Sequence, residues 1–117
     1  MALDVSGQKA DNGSGLGLYR YVGQANQLWT LHHLGGGVYE IVGVQSGRAL
    51  TVGNGSATIS DYLGQTGQKW MISGTAGSYE IKDMASGKLF GFSGDGSPSL
   101  SGASGQPGQK WKIELAL

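Results

Sequence analysis

The chain has no cysteine among its 117 residues, so neither a disulfide nor a thiolate-held metal contributes to its fold. Charge is sparse and balanced: eight Lys and Arg against eight Asp and Glu give a formal net charge of zero. That balance lacks the basic footprint of a nucleic-acid binder and the polybasic run of a membrane-surface anchor. Apolar runs are short, and none approaches the roughly 20 residues that span a bilayer as a helix. The opening, MALDVSGQKADNG, has neither the basic nor the apolar segment of a signal peptide. It reads as the start of a leaderless protein or of an excised domain. The lack of cysteine leaves the compartment open: extracellular for a module of a secreted protein, cytoplasmic for a leaderless one.

What is abundant is glycine, at 23 residues against two prolines. Glycine weakens helix interiors and supplies positive φ in turns, so many short strands joined by tight turns fit better than helices. The length is that of one domain, with a core that must use its apolar residues economically.

One seven-residue pattern occurs three times: GQANQLW (23–29), GQTGQKW (64–70) and GQPGQKW (105–111). The tryptophans Trp29, Trp70 and Trp111 are therefore 41 residues apart each time. A fixed period of this size indicates symmetric supersecondary units. Further segments align on it: GVYEIVGVQSGRALTV (37–52) with GSYEIKDMASGKLFGF (77–92), and ALDVSG (2–7) with ALTVGN and LFGFSG. The repeats run 1–36, 37–76 and 77–117. In the second, four short alternating pieces are expected near Tyr39–Ile41, Ala49–Val52, Thr58–Tyr62 and Lys69–Ile72. Equivalent apolar positions are Leu3, Leu50 and Phe90; Val5, Val52 and Phe92; Leu18, Ile59 and Leu100; Leu31, Ile72 and Ile113. With the tryptophans they are expected to form one shared core. Three units of four strands fit a three-fold barrel capped by hairpins better than a propeller, which usually needs four blades to close.

Three Gln-x-Trp motifs at this spacing, with SG-[RK]-x-L segments between them, resemble the ricin B-chain type β-trefoil over essentially the whole chain. The expected fold is thus an all-β trefoil with pseudo-three-fold symmetry. Many members of that family carry cysteines flanking the second and third strands. Here those places hold Ala2 and Tyr21, Ala49 and Tyr62, Leu89 and Ala103, so packing must replace the bridge. The second and third units open on Tyr-Glu-Ile, but nothing precedes Ala2 to supply that strand in the first. About eleven strands are offered where the fold expects twelve, and the tail Glu114–Leu117 is expected to lie beside the first unit's opening.

The resemblance also implies a shallow sugar pocket in each repeat. It is built from an Asp ending the second strand, an aromatic in or after the third, and an Asn just before the Gln of Gln-x-Trp. A carboxylate accepts charge-assisted hydrogen bonds from vicinal hydroxyls. An aromatic face packs on the C–H side of a pyranose. An Asn amide both donates and accepts, as hydroxyls do. The first repeat carries all three as Asp4, Tyr19 and Asn26, with Gln27 in the motif behind them. The second has Thr51, Ser60 and Gly67 in those places and the third Gly91, Ser101 and Gly108, so both are expected not to bind. From Val5 to Leu18 is 13 positions, against 7 from Val52 to Ile59 and 8 from Phe92 to Leu100. The extra residues, in GQKADNGSGLG, are turn-formers expected to wall one side of the pocket.

Each of these residues also has a plainer use. Asp caps turns, an isolated strand Tyr is ordinary, Gln24 is a turn residue, and Gln27, Gln68 and Gln109 are expected to bond backbone. His32 and His33 are adjacent in a strand, point to opposite faces and so rarely share a metal. No cofactor is implied. Neither a carboxylate pair nor a Ser-His-Asp pattern is evident, so no enzyme activity is expected. The implied function is carbohydrate binding by a lectin or glycan-binding module. Its partner is a mono- or oligosaccharide, galactose-type first and xylan-type next, with no nucleic acid and no membrane insertion. One shallow site binds weakly, so tight binding needs an oligomer or an upstream domain. The alternatives are a protein-binding trefoil such as a protease inhibitor acting through its loops, or a structural domain.

Overall fold

The computed structural model describes residues 2–53, 56–75, 77–94, 96–102 and 107–114. Among them are ten strands: β1 (Ala2–Val5), β2 (Leu16–Tyr19), β3 (Trp29–Gly35), β4 (Val38–Gly43), β5 (Ala49–Gly53), β6 (Ser56–Ser60), β7 (Trp70–Thr75), β8 (Ser78–Asp83), β9 (Leu89–Phe92) and β10 (Pro98–Ser101). Every helical stretch is a three-residue 3-10 turn, and three of these sit inside the repeated motif: Ala25–Gln27, Thr66–Gln68 and Pro107–Gln109.

The pairing explains the period. Hairpins β1–β2, β5–β6 and β9–β10 are antiparallel and in equivalent register, with Ala2 opposite Tyr19, Ala49 opposite Ser60 and Leu89 opposite Ser101. The remaining strands pair across repeat boundaries, β3 with β4 and β7 with β8. Propeller blades would keep each repeat's strands in their own sheet, so this sharing selects the barrel. Within a repeat, β4 also pairs β7, and a bridge between Tyr79 and Trp111 repeats that contact in the third. The hairpins meet one another: Ser56 Oγ donates to the Pro98 carbonyl at 3.0 Å, and Ser14 bridges Ile59. The molecule measures 30 × 29 × 29 Å, as three like units around one axis would.

Each tryptophan does the same job. The indole N–H of Trp29, Trp70 and Trp111 donates to the carbonyl of Leu3, Leu50 and Phe90 respectively, at 3.0 Å in all three. The bond ties the end of each repeat to its own hairpin and satisfies a donor that burial would otherwise strand. Trp70 is wholly buried, and its ring removes about 150–250 Å² from water, a gross gain of roughly 4–6 kcal/mol. Phe90 packs against Trp70, Phe92 and Trp111, with centroids 5.8, 5.9 and 5.3 Å away.

The glutamine of the motif is used alike in the first two repeats. Gln27 Oε1 accepts from Val22 N–H at 2.8 Å and its Nε2 donates to the Arg20 carbonyl at 2.8 Å. Gln68 does this with Leu63 and Asp61, both at 2.7 Å. The side chain thereby holds a loop that has no ladder of its own. Gly23 and Gly64, which open the motif, sit at φ of 74° and 69°, where a side chain would be strained.

Buried Val5, Leu50, Ile59, Phe90 and Phe92, with half-buried Leu3, Leu18, Val52, Ile72 and Leu100 against them, form the expected core. Leu16, Ile41, Ala57 and Ile81 join them, positions the alignment of repeats had not singled out. Leu31 and Ile113 do not belong, being 37% and 39% exposed. Leu31 lies on β3, which pairs with β4 alone among the described strands, whereas Ile72 lies on β7 between β4 and β8. The third piece of the second repeat ends at Ser60, short of Tyr62, and the last strand opens at Trp70. Of the expected tail, Leu115–Leu117 lie outside the described residues, as does Ala103.

Candidate functional site

β1 ends in Asp4-Val5, and strand alternation turns Val5 into the core while Asp4 is left half-buried at the hairpin's outer side. Antiparallel pairing places β2 alongside, and Tyr19, 57% exposed, closes it. Asn26 occupies the 3-10 turn Ala25–Gln27 that leads into Trp29, and it is buried at 5% exposure. Its amide Nδ2 donates to Asp4 Oδ2 at 3.1 Å and, more weakly, to the Val5 carbonyl at 3.4 Å. The bond fixes both side chains and leaves Asp4 Oδ1 outside it.

Asp4, Tyr19, Asn26 and Gln27, the residues singled out in the sequence, line one cleft of about 370 Å³. That is near the small end of ligand pockets, about 300–1,000 Å³. Gly7, Gln8, Arg20, Val22 and Gln24 complete the lining. Gly7 and Gln8 belong to the insertion expected to wall the pocket, whereas Arg20, Val22 and Gln24 were not foreseen. Arg20 and Val22 flank the strand aromatic, and Gln24 had the look of a plain turn residue. Gln27 reaches the cleft while spending its amide on the Arg20 and Val22 backbone, as Gln68 spends its own on Asp61 and Leu63 in the second repeat. Its contribution is to hold the segment after Tyr19.

The insertion divides its labour. Gly7 and Gln8, at its base, wall the cleft. Its tip leaves the first repeat and docks on the second: Gly13 N–H donates to the Ile59 carbonyl at 2.7 Å, and Asn12 Oδ1 accepts from Arg48 Nε at 2.8 Å and Asp61 N–H at 2.7 Å. Arg48 also donates to the Ala10 carbonyl and pairs with Asp61 at 3.3 Å.

The equivalent places in the other repeats are filled in two ways. In the second, Thr51 Oγ1 accepts from Gln68 Nε2 at 3.1 Å, and a side chain begun at Gly67 would meet Val52 only at ordinary contact distance. In the third, the backbone itself closes the space. A Cβ on Gly91 would fall on the Gly108 carbonyl, and one on Gly108 would fall on the Phe92 carbonyl.

Away from the cleft, His32 and His33 point apart. His32 Nδ1 lies 3.9 Å from Glu40, and His33 packs on Tyr39 with centroids 4.8 Å apart. Glu40 is buried and hydrogen-bonded to Tyr62, whose phenol it holds above the ordinary value of 10.0.

Residues 1–65 match the model of the ricin-type β-trefoil lectin domain-like family, a stretch that contains the whole cleft. A designed three-fold symmetric protein, ThreeFoil, superposes with a TM-score of 0.89 at 29% identity, covering 97% of this chain and 90% of its own. An exo-β-1,3-galactanase from Clostridium thermocellum gives 0.88 at 29% identity over 97% of this chain, which spans 27% of the enzyme. A Polyporus squamosus lectin bound to a Neu5Acα2-6Galβ1-4GlcNAc epitope gives 0.76 at 21% identity, covering 94% of this chain and 42% of that one. No curated protein matches the chain. The repeat, the barrel and the family match agree: the chain belongs to the ricin-type β-trefoil lectin-like domains.

Proposed function

We propose that the protein binds a galactose-type sugar at a single site in its first repeat, through Asp4, Tyr19 and Asn26. The observation that carries this reading is the bond between Asp4 and Asn26 in a cleft that the exposed Tyr19 also lines. Asp4 Oδ1 accepts from two neighbouring ring hydroxyls, Asn26 sets the carboxylate's orientation, and Tyr19 covers the C–H face. Gln27 keeps in place the Arg20–Val22 backbone that follows Tyr19. The galactanase and the Polyporus lectin, whose ligand contains a Galβ1-4GlcNAc unit, support a galactose-type ligand ahead of a xylan-type one.

Nothing in the cleft calls for chemistry. It holds one carboxylate, whereas glycosidic cleavage ordinarily needs two. One shallow site of this kind corresponds to affinities near the millimolar end of the scale, about −4 kcal/mol. The test is a multivalent display of the protein on a broad glycan array beside its Tyr19→Ala variant. Galactose-terminated glycans are expected to bind the parent and not the variant. An array on which the parent binds nothing refutes the reading.

A further inference from the structure

Gln8 is the one non-glycine with a positive φ among the described residues, at 56°, directly after Gly7 at 65°. A residue with a side chain persists in that region only where its surroundings over-determine it, and such positions cluster at functional sites. Here the restraint comes from outside the first repeat. The Gln8 carbonyl accepts from Gln45 Nε2 of the second repeat at 3.0 Å, and the chain beyond it is clamped by Arg48 and Asp61 through Asn12. Glycine would sit there without strain, yet the position carries a long amide.

That amide has a direction. Gln8 Nε2 donates to Gln24 Oε1, joining the insertion to the repeated motif across 16 residues of sequence. Both glutamines line the cleft and both are exposed, whereas Asn26 is buried and Asp4 half-buried. The cleft therefore has a floor, where the carboxylate lies, and an outer ledge made of two joined amides. The mutual bond uses one donor and one acceptor. Gln8 Oε1 and the Gln24 amide N–H groups remain as acceptor and donors for a ligand.

We propose that Gln8 and Gln24 form a second, outer subsite, so that the ligand is at least a disaccharide whose second ring hydrogen-bonds to the amide pair. This rests on the reading that Asp4, Tyr19 and Asn26 hold the first ring. Two neutral hydrogen bonds correspond to about tenfold in affinity.

The experiment compares methyl β-galactoside with lactose by NMR titration or calorimetry, on the parent protein, Gln8→Gly and Gln24→Ala. The parent is expected to bind lactose about tenfold more tightly than the monosaccharide. Both variants are expected to keep the monosaccharide affinity within about twofold and to lose the lactose advantage. Gln8→Gly is expected to melt no lower than the parent, because glycine relieves the backbone at this position. Gln24→Ala leaves that backbone untouched and so separates amide contact from loop shape. Equal binding of the two sugars by the parent overturns the outer subsite and leaves the first site standing. So does a lactose advantage that survives both substitutions, or a loss of monosaccharide binding in proportion. A parent that binds neither sugar overturns the first-site reading, and the subsite with it.

Discussion

Asp4→Ala and Tyr19→Ala are expected to remove the same binding and to leave different marks on stability. Asn26 is 5% exposed, and its amide has a 3.1 Å bond to Asp4 and a longer one, 3.4 Å, to the Val5 carbonyl. Without the Asp4 carboxylate the buried amide keeps the longer bond alone, at a cost of about 1–3 kcal/mol. For a chain of this length that lowers the thermal midpoint by roughly 4–12 °C. Tyr19 is 57% exposed and has no buried partner to strand, so its truncation costs about 0.5 kcal/mol or less, roughly 2 °C. Binding is expected to be lost in both. The ring's stacking is worth about 1–1.5 kcal/mol, a tenfold loss that takes a millimolar affinity out of range. Differential scanning calorimetry paired with a sugar titration reads both quantities on the same samples. A Tyr19→Ala protein that melts as low as Asp4→Ala, or an Asp4→Ala protein that still binds, would refute the reasoning.

The empty repeats differ in what they would accept. Thr51→Asp, Ser60→Tyr and Gly67→Asn together are expected to fold and to add a second binding equivalent, whereas Gly91→Asp or Gly108→Asn is expected to unfold the protein or lower its midpoint steeply, as circular dichroism melts would show. Gln68→Ala removes both supports of the Asp61–Leu63 loop and is expected to cost about 2–4 kcal/mol in urea denaturation, more than any exposed substitution. Tyr62 is expected to ionise above its ordinary range, because the hydrogen bond of its phenol to Glu40 favours the protonated form. Since its folded pKa is raised, its contribution is whole below pH about 10 and is lost as pH rises beyond that. Glu40→Gln should return Tyr62 to the ordinary range in an absorbance titration.

The fold was legible in the sequence because its symmetry is carried by side chains with one use each. Trp29, Trp70 and Trp111 make the same bond to the same hairpin position, so a period in sequence is a period in space. The alignment of Tyr19 with Ser60 and Ser101 reappears as strand register, opposite Ala2, Ala49 and Leu89. Burial was less legible. Leu31 and Ile72 are equivalent by sequence, but the neighbours on either side of β3 and β7 are not. The clamp among Asn12, Arg48 and Asp61 joins residues 36 and 49 positions apart in different repeats, and of the three only Arg48 belongs to a repeated motif. Gln8 carries no local signal at all, since its left-handed backbone is imposed by contacts with the second repeat. The glycines of the third repeat looked like simple losses of Asp and Asn. In the structure they are a close approach of two backbones that needs both to lack a side chain.

The central claim is one sugar site, in the first repeat. Titrating the isotopically labelled protein with lactose and following its amide resonances tests that most directly. A single saturating process is expected, with shifts at Asp4, Tyr19 and Asn26 and in the Gly7–Gln8 turn, and with the resonances of Thr51, Ser60, Gly91 and Ser101 unmoved. Saturating shifts in the second or third repeat, or a spectrum that lactose leaves unchanged throughout, would contradict it.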